Sequence, residues 1–129
     1  MGLFSFKKKA SDAPNYTLRT NSGTYENKDL SIAGFAEHLN HFTHEEWDFM
    51  TLSSSAPIKG VTFIQIGSPD AKTNFKMTVE IGLSNPDKIE MYRCYTDSKD
   101  EALRILADYF EKQEIPDYKS WNDVSDEMN

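Results

Sequence analysis

The sequence predicts an α+β domain in which an antiparallel meander sheet of about four to five strands is flanked by two helices. Three observations predict this class. Residues 75–83 alternate between apolar and polar side chains, as in a strand with one buried face. Two other segments carry apolar residues at the i, i+3, i+4 spacing of a helix. Turn residues at 67–70 and 85–87 separate neighbouring strands closely enough for hairpins.

The chain is predicted to divide into a tail and one domain. Residues 1–14 are interpreted as a flexible basic tail, because Lys7–Lys9 precede the loop-like segment 10–14. Residues 15–129 are predicted to be a single α+β domain with an acidic C-terminal segment. A secretory signal would need charges before a longer apolar run, which this start lacks.

The first half of the domain contains a strand, a helix and a second strand. β-branched and aromatic residues predict the first strand at 16–20. The first helix is capped by Asp29 or Ser31 and ends near Phe42. Its apolar side consists of Ile32, Phe35, Ala36 and Leu39. The next strand is predicted at 47–52, with a helical turn at 43–46 as the alternative, followed by a loop at 53–57.

Three more strands and a helix follow. Strands are predicted at 61–66, 75–83 and 89–95. In the second of these, the residues expected to face the core are Phe75, Met77, Val79, Ile81 and Leu83. Ser98 and Glu101 match a capping box that opens the second helix, which must end before Ile115–Pro116. Its apolar side is formed by Ala102, Leu103, Leu106, Ala107 and Phe110, with Ile105 and Tyr109 beside them.

Charge and cysteine content indicate the class of partner and the cellular compartment. The formal net charge is −7, from 21 acidic and 14 basic residues. An acidic chain repels a phosphate backbone and attracts a cationic partner, so we predict a protein partner and no nucleic acid. The single cysteine, Cys94, cannot form an internal disulfide, and this favours a cytoplasmic location. Leu3, Phe4 and Phe6 beside the lysines could touch a membrane, but three apolar residues predict no stable membrane association.

Few residues match catalytic patterns. His38, His41 and His44 lie within seven residues, so a small metal-dependent enzyme or metal-binding protein is the alternative function. Their spacing is not that of a helical zinc protease site, and a solvated helix face is the preferred interpretation. Cys94 is interpreted as a small hydrophobic residue. Glu80, on the polar side of its strand, is predicted to pair with Gln65 or with a charge on a neighbouring strand. We therefore predict no catalysis, no cofactor and no metal.

The acidic C-terminal segment is the candidate binding site. Residues 97–129 contain ten acidic and four basic residues, a net charge of −6, together with aromatic side chains. Aromatic anchors with a charged rim are typical of protein-binding hot spots. The predicted partner-binding residues are Glu111, Glu114, Asp117, Tyr118, Trp121 and Asp123. A solvated helix face with aromatics that close the core is the other interpretation.

The order of several short motifs resembles a known kind of protein. These motifs are Phe63–Gln65, Val79–Glu80, Tyr92, Tyr109–Phe110, Ile115–Asp117 and Trp121. Over about residues 29–125 the chain resembles small acidic bacterial immunity proteins of polymorphic toxin systems. The resemblance implies a non-catalytic protein that neutralises a cognate toxin by covering its active site or by locking it. We predict a monomer or a homodimer. The toxin could be a basic domain, although Lys7–Lys9 depart from a uniformly acidic surface.

Overall fold

The computed structural model of the chain describes residues 14–42, 48–84 and 88–127. These residues form seven strands in one antiparallel sheet, in the order β2-β1-β3-β4-β5-β6-β7. The strands are β1 Tyr16–Thr20, β2 Gly23–Glu26, β3 Phe49–Ile58, β4 Val61–Gly67, β5 Met77–Ser84, β6 Ile89–Thr96 and β7 Asn122–Asp123. From β3 to β7 each strand pairs with the next in sequence, which confirms the predicted meander and the α+β class.

Two α-helices accompany the sheet, as predicted. Helix α1 (Ile32–Asn40) begins after Ser31, whose side chain accepts a hydrogen bond from the Gly34 backbone N–H, so Ser31 and not Asp29 is its cap. Helix α2 (Lys99–Ala107) begins after Ser98, which accepts from the Glu101 N–H. A π-helical turn, Asp108–Lys112, continues α2. Gln113 then adopts a φ of 53°, which ends the helix before Ile115, as predicted.

Both helices contribute to a core on one face of the sheet. In register across the middle strands, Leu18, Leu52, Ile64 and Ile81 are all buried, and the helices add further buried side chains. The helix residues in this core are Phe35, Leu39, Ala102, Ile105, Leu106 and Tyr109. Because strand residues alternate between faces, the polar residues between these apolar ones lie on the opposite side of the sheet.

Tyr109 joins the second helix to the sheet. It is 0% exposed, and its hydroxyl donates a hydrogen bond to the Val61 carbonyl at 2.8 Å. Its own carbonyl accepts a hydrogen bond from the Tyr16 hydroxyl at 3.1 Å. The Tyr16 ring in turn lies edge-on to Phe110, and Phe110 lies edge-on to Phe35 of α1. A chain of aromatic side chains therefore packs the two helices onto one end of the sheet.

The sheet has more strands than predicted. The prediction of four to five strands missed β2, to which no element was assigned, and the two-residue β7 in the acidic segment. It also placed a loop at 53–57, where β3 continues to Ile58 through a register shift. These segments lack apolar alternation because they lie at sheet edges or on partly exposed strand ends. Their pairing is therefore set by neighbouring strands.

The start of β5 also differs from the prediction. The alternation predicted that Phe75 faces the core, but β5 begins at Met77 and Phe75 is 56% exposed. Asn74 and Phe75 both have positive φ angles, 58° and 61°. These two residues turn the chain before the strand begins. The apolar alternation therefore starts at Phe75, one apolar position before the first residue of β5.

Among the described residues, no helix combines the length and the apolar character that a membrane span requires. The expected tail, the predicted start of the third element at Trp47 and the alternative helical turn at 43–46 lie outside the described residues.

Candidate functional site

A row of polar side chains crosses the helix-free face of the sheet. The strand registers align Arg19, Thr51, Gln65, Glu80 and Arg93 on five adjacent strands. At the usual strand spacing, this row is about 19 Å long. It is the counterpart, on the open face, of the apolar row that faces the helices.

Glu80 is the centre of a hydrogen-bond network within this row. Its side chain accepts from Gln65 Nε2 at 3.0 Å and from Arg93 Nε at 2.6 Å. Gln65 Oε1 accepts from the Thr51 hydroxyl at 2.7 Å. Glu80 is only 7% exposed, so its charge depends on these donors. The predicted pairing of Glu80 with Gln65 or with a charge on a neighbouring strand is thus confirmed, and both partners are present.

Arg93 bridges this buried carboxylate and the end of the described chain. Its two terminal nitrogens donate to Glu127 at 3.2 and 2.9 Å. Burial lowers the pKa of Arg93, but the hydrogen bonds to Glu127 and Glu80 outweigh burial, and the net shift of the pKa is upward. Arg93 therefore stays charged and ties the segment after β7 to the open face.

The polar row forms the floor of a concave groove of about 810 Å³. Phe49 and Phe63 add apolar surface to it, and Asp48 and Asp70 add carboxylates. Its volume lies in the range of small-ligand pockets. The groove holds groups of both charges, and it does not by itself select one class of ligand.

The shape of the groove depends on a glycine. Gly82 of β5 lies in register with Phe63 of β4, and a Cβ at Gly82 would overlap the Phe63 ring. Phe63 therefore lies flat across the neighbouring strand instead of projecting from the sheet. Gly82 is required at this position for close packing, not for an unusual backbone angle.

The predicted carboxylates of the C-terminal segment are exposed. Glu111, Glu114 and Asp117 are all in the exposed class, and none of them forms an ion pair with another described residue. Asp108, by contrast, lies within 3.5 Å of Arg104 and 3.8 Å of Lys112. Glu111 and Glu114 lie at the C-terminal end of the helical segment, where the backbone dipole adds negative potential.

The predicted aromatic anchors are half-buried. Tyr118 packs against Tyr92 with ring centroids 4.9 Å apart, and Trp121 contacts the edge of the core. The backbone N–H of Trp121 donates to the Tyr118 carbonyl at 2.9 Å, so the two residues lie in one turn. Both residues thus close the core and keep part of their surface accessible, so the two interpretations of this segment are compatible.

Asp123 has a different structural role from the other predicted carboxylates. It lies in β7 opposite Tyr92, and its side chain accepts hydrogen bonds from the hydroxyl and the N–H of Ser125. These hydrogen bonds lower the pKa of Asp123. Asp123 is exposed and fixes the turn into the final segment, where the Ser125 hydroxyl also accepts from the Met91 N–H at 3.0 Å.

His38 and His41 both line a cavity of about 340 Å³ beside Asp48. His38 packs against the Tyr25 ring with centroids 5.3 Å apart, and His41 follows the last turn of α1. His44 lies outside the described residues. In residues 14–42, 48–84 and 88–127, no three His, Cys, Asp or Glu side chains are placed to hold a metal ion.

Cys94 lies on the core side of β6, in register with the buried Val79. Burial, with a smaller contribution from Glu101, raises the pKa of the Cys94 thiol to about 11. This environment fits a packed cysteine and disfavours a nucleophile.

The thiol of Cys94 is expected to react slowly with a small aromatic disulfide reagent at pH 8. The ionised fraction of the thiol falls by a factor of about 100 relative to an ordinary cysteine, and the greater nucleophilicity of the less acidic thiolate recovers about eightfold. The folded protein should thus react about tenfold more slowly than the same chain in denaturant. Stopped-flow absorbance measures both rates, and equal rates would contradict the assigned environment.

Sequence reasoning found Glu80 but missed the groove and the role of Arg93. The signal for Arg93 was present, since Glu80 and Arg93 both lie on polar faces of adjacent strands. The pairing of Glu80 with Arg93, however, depends on the register between β5 and β6, which the polar pattern of each strand does not determine. The contact of Arg93 with Glu127 spans 34 residues and has no local signal.

No family model matches the chain, and no curated protein and no solved structure is significantly similar to it.

Proposed function

We propose that the protein is a non-catalytic protein-binding module of the immunity type, which neutralises a cationic toxin domain through its acidic C-terminal surface. This surface consists of Glu111, Glu114 and Asp117 with the half-buried Tyr118 and Trp121. The observation that carries the proposal is the exposure of three carboxylates that have no ion-pair partner among the described residues.

The electrostatics of this surface favour binding over stability. Acidic residues at the C-terminal end of a helix face the negative end of the helix dipole, an arrangement that costs about 0.3–1 kcal/mol each. Glu111 and Glu114 occupy such positions, and Asp117 follows in the same segment. A cationic partner would relieve this repulsion, and the same field would accelerate its approach.

The aromatic residues supply the second requirement of a binding site. Tyr118 is held by Tyr92, and Trp121 is held by the turn that joins it to Tyr118. Both side chains are therefore ordered before a partner arrives, which lowers the entropic cost of binding. Rigid aromatics inside a charged rim are typical of residues that dominate binding energy.

The proposal is tested by capturing partners from a lysate of the source organism at low salt and identifying the retained proteins by mass spectrometry. We expect one basic protein near stoichiometric amounts, released as salt rises. Its association rate at low salt should fall by about tenfold when Glu111, Glu114 and Asp117 are replaced by Gln, Gln and Asn.

A matched variant separates the effect of this surface on association from the effect of net charge. Glu26, Asp29 and Glu37 are exposed carboxylates on other elements, and their replacement by Gln, Asn and Gln changes the charge equally. This control should retain the partner and most of the association rate. A partner that binds both variants equally, or at a rate independent of salt, would overturn the proposed surface.

A further inference from the structure

The loop between β4 and β5 contains several internal hydrogen bonds. Asp70 and Thr73 form a reciprocal capping box, in which the Asp70 side chain accepts from the Thr73 N–H and the Thr73 hydroxyl accepts from the Asp70 N–H. The Phe75 N–H also donates to the Asp70 carbonyl at 2.7 Å. These hydrogen bonds tie Thr73 and Phe75 back to Asp70 and define the shape of the loop.

This shape includes an unfavourable backbone conformation. Asn74 and Phe75 have φ angles of 58° and 61°, in the left-handed region that favours glycine. Asparagine tolerates this region, but a bulky aromatic residue rarely adopts it. The strain is retained although it exposes Phe75, and strained residues of this kind are concentrated at functional sites.

The loop and the neighbouring end of β6 expose aromatic and basic groups, of which Phe75 is adjacent in sequence to Lys76. Phe75 is 56% exposed, and Tyr95 of β6, in register with Thr78, is 43% exposed. Tyr95, Asn74 and the exposed Lys72 and Lys76 line a shallow concave surface of about 260 Å³. On a chain of net charge −7, this is a local surface of the opposite sign.

We propose that Lys72, Phe75, Lys76 and Tyr95 form a second protein-binding surface, which accepts an acidic segment that carries carboxylates beside large apolar side chains. Phe75 and Tyr95 provide ordered apolar anchors, and the two lysines pair with carboxylates around them. The inference is independent of the acidic C-terminal surface, because the two surfaces have opposite charge and select opposite partners.

The charges favour a short acidic protein segment over a polyanion. Two lysines neutralise about two phosphates, which gives only weak, salt-sensitive binding to a nucleic acid. An anionic membrane or nucleic acid would also meet the repulsion of the remaining acidic surface. A protein segment with a few carboxylates matches the two lysines and can also bury Phe75.

The experiment uses two short peptides as probes and amide NMR spectra of the full chain as the readout. One peptide contains Glu and Leu, and the other contains Lys and Leu in the same order. We expect the Glu/Leu peptide to shift the signals of residues 71–76 and Tyr95. The Lys/Leu peptide should instead shift the signals of residues 111–121, the surface of the proposed function.

Substitutions identify the anchors. Phe75→Asn places a residue that tolerates the left-handed backbone at this position. It should lower the affinity for the Glu/Leu peptide by about tenfold. Lys72→Glu should lower the affinity for this peptide by a similar factor, and the loss should be larger at low salt. Ile89→Asn, at another exposed apolar side chain, is the matched control and should leave the affinity unchanged.

Each outcome decides between the two surfaces. A Glu/Leu peptide that shifts no signal in the loop, while the Lys/Leu peptide binds, overturns this inference and leaves the proposed function standing. Binding of the Glu/Leu peptide alone supports the inference and counts against the acidic site. Loop shifts caused by single-stranded DNA or anionic vesicles, but not by the Glu/Leu peptide, overturn the assignment to a protein partner.

Discussion

Replacing Tyr109 by alanine is expected to lower the free energy of unfolding by about 3–5 kcal/mol. The side chain is fully buried between α2 and the sheet, so its loss removes apolar burial and leaves a cavity. The substitution also removes the hydrogen bond from its hydroxyl to the Val61 carbonyl. Urea denaturation followed by circular dichroism measures the change.

The conservative variant separates the contribution of the Tyr109 hydroxyl to stability from that of the ring. Tyr109→Phe keeps the ring but leaves the Val61 carbonyl without its donor, at an expected cost of about 1–3 kcal/mol. Burial raises the pKa of Tyr109, so the hydroxyl remains a donor across the pH range in which the protein is studied. Tyr118→Phe, at a half-buried tyrosine, is the control and should change stability by less than about 0.5 kcal/mol. A Tyr109→Phe variant as stable as the wild type would show that Val61 finds another donor.

Arg93→Ala is expected to destabilise the fold by about 3 kcal/mol, because it leaves the buried Glu80 carboxylate without its charged partner. Among the residues that the structure describes, the amide of Gln65 is the remaining donor to Glu80 in this variant. The loss also releases Glu127, which adds little because that carboxylate is largely exposed. The same denaturation experiment measures the change.

Two further variants assign this cost to the buried carboxylate. Glu80→Gln combined with Arg93→Ala removes both charges and should recover most of the lost stability. Glu127→Gln removes only the exposed partner and should cost less than about 1 kcal/mol. If Glu127→Gln costs as much as Arg93→Ala, the main role of Arg93 is to hold the C-terminal segment and not to compensate Glu80.

These stability experiments also bear on binding. Tyr109 belongs to neither proposed surface, so its variants should bind partners normally at temperatures where they remain folded. Arg93 is a hydrogen-bond partner of Tyr95, so the Arg93 variant tests only the acidic surface. Loss of binding there in a folded Arg93 variant would indicate that the position of the segment around Glu127 affects the acidic surface, because Arg93 is not one of its proposed contacts.

The sequence predicted the elements with local periodicity. Met77, Val79 and Ile81 alternate with polar residues, and all three are buried on one side of β5. Ser98 caps the second helix as predicted, although its N–H donates to the Thr96 hydroxyl, so only one half of the predicted capping box with Glu101 is present. The prediction of a packed Cys94 is also consistent with its position opposite Val79.

The sequence could not predict the elements whose pairing is set at a distance. β2 and β7 carry no apolar alternation, and β7 is only two residues long. Phe75 continues the alternation of β5 but is turned outward by two left-handed residues. A periodic pattern indicates which side chains can share a face, but it does not indicate where the backbone leaves the strand.

By itself, the sequence determined the α+β class, the two helices, the meander order and the acidic character of the last third. Only the tertiary structure decided that Glu80 is held between Gln65 and Arg93, that Arg93 reaches Glu127, and that Phe75 and Tyr95 are both exposed. The physical reason is the range of the interactions. Helix caps and strand alternation depend on neighbours within a few residues, whereas these contacts depend on the register of distant segments, which turns, bulges and the packing of the whole sheet fix together.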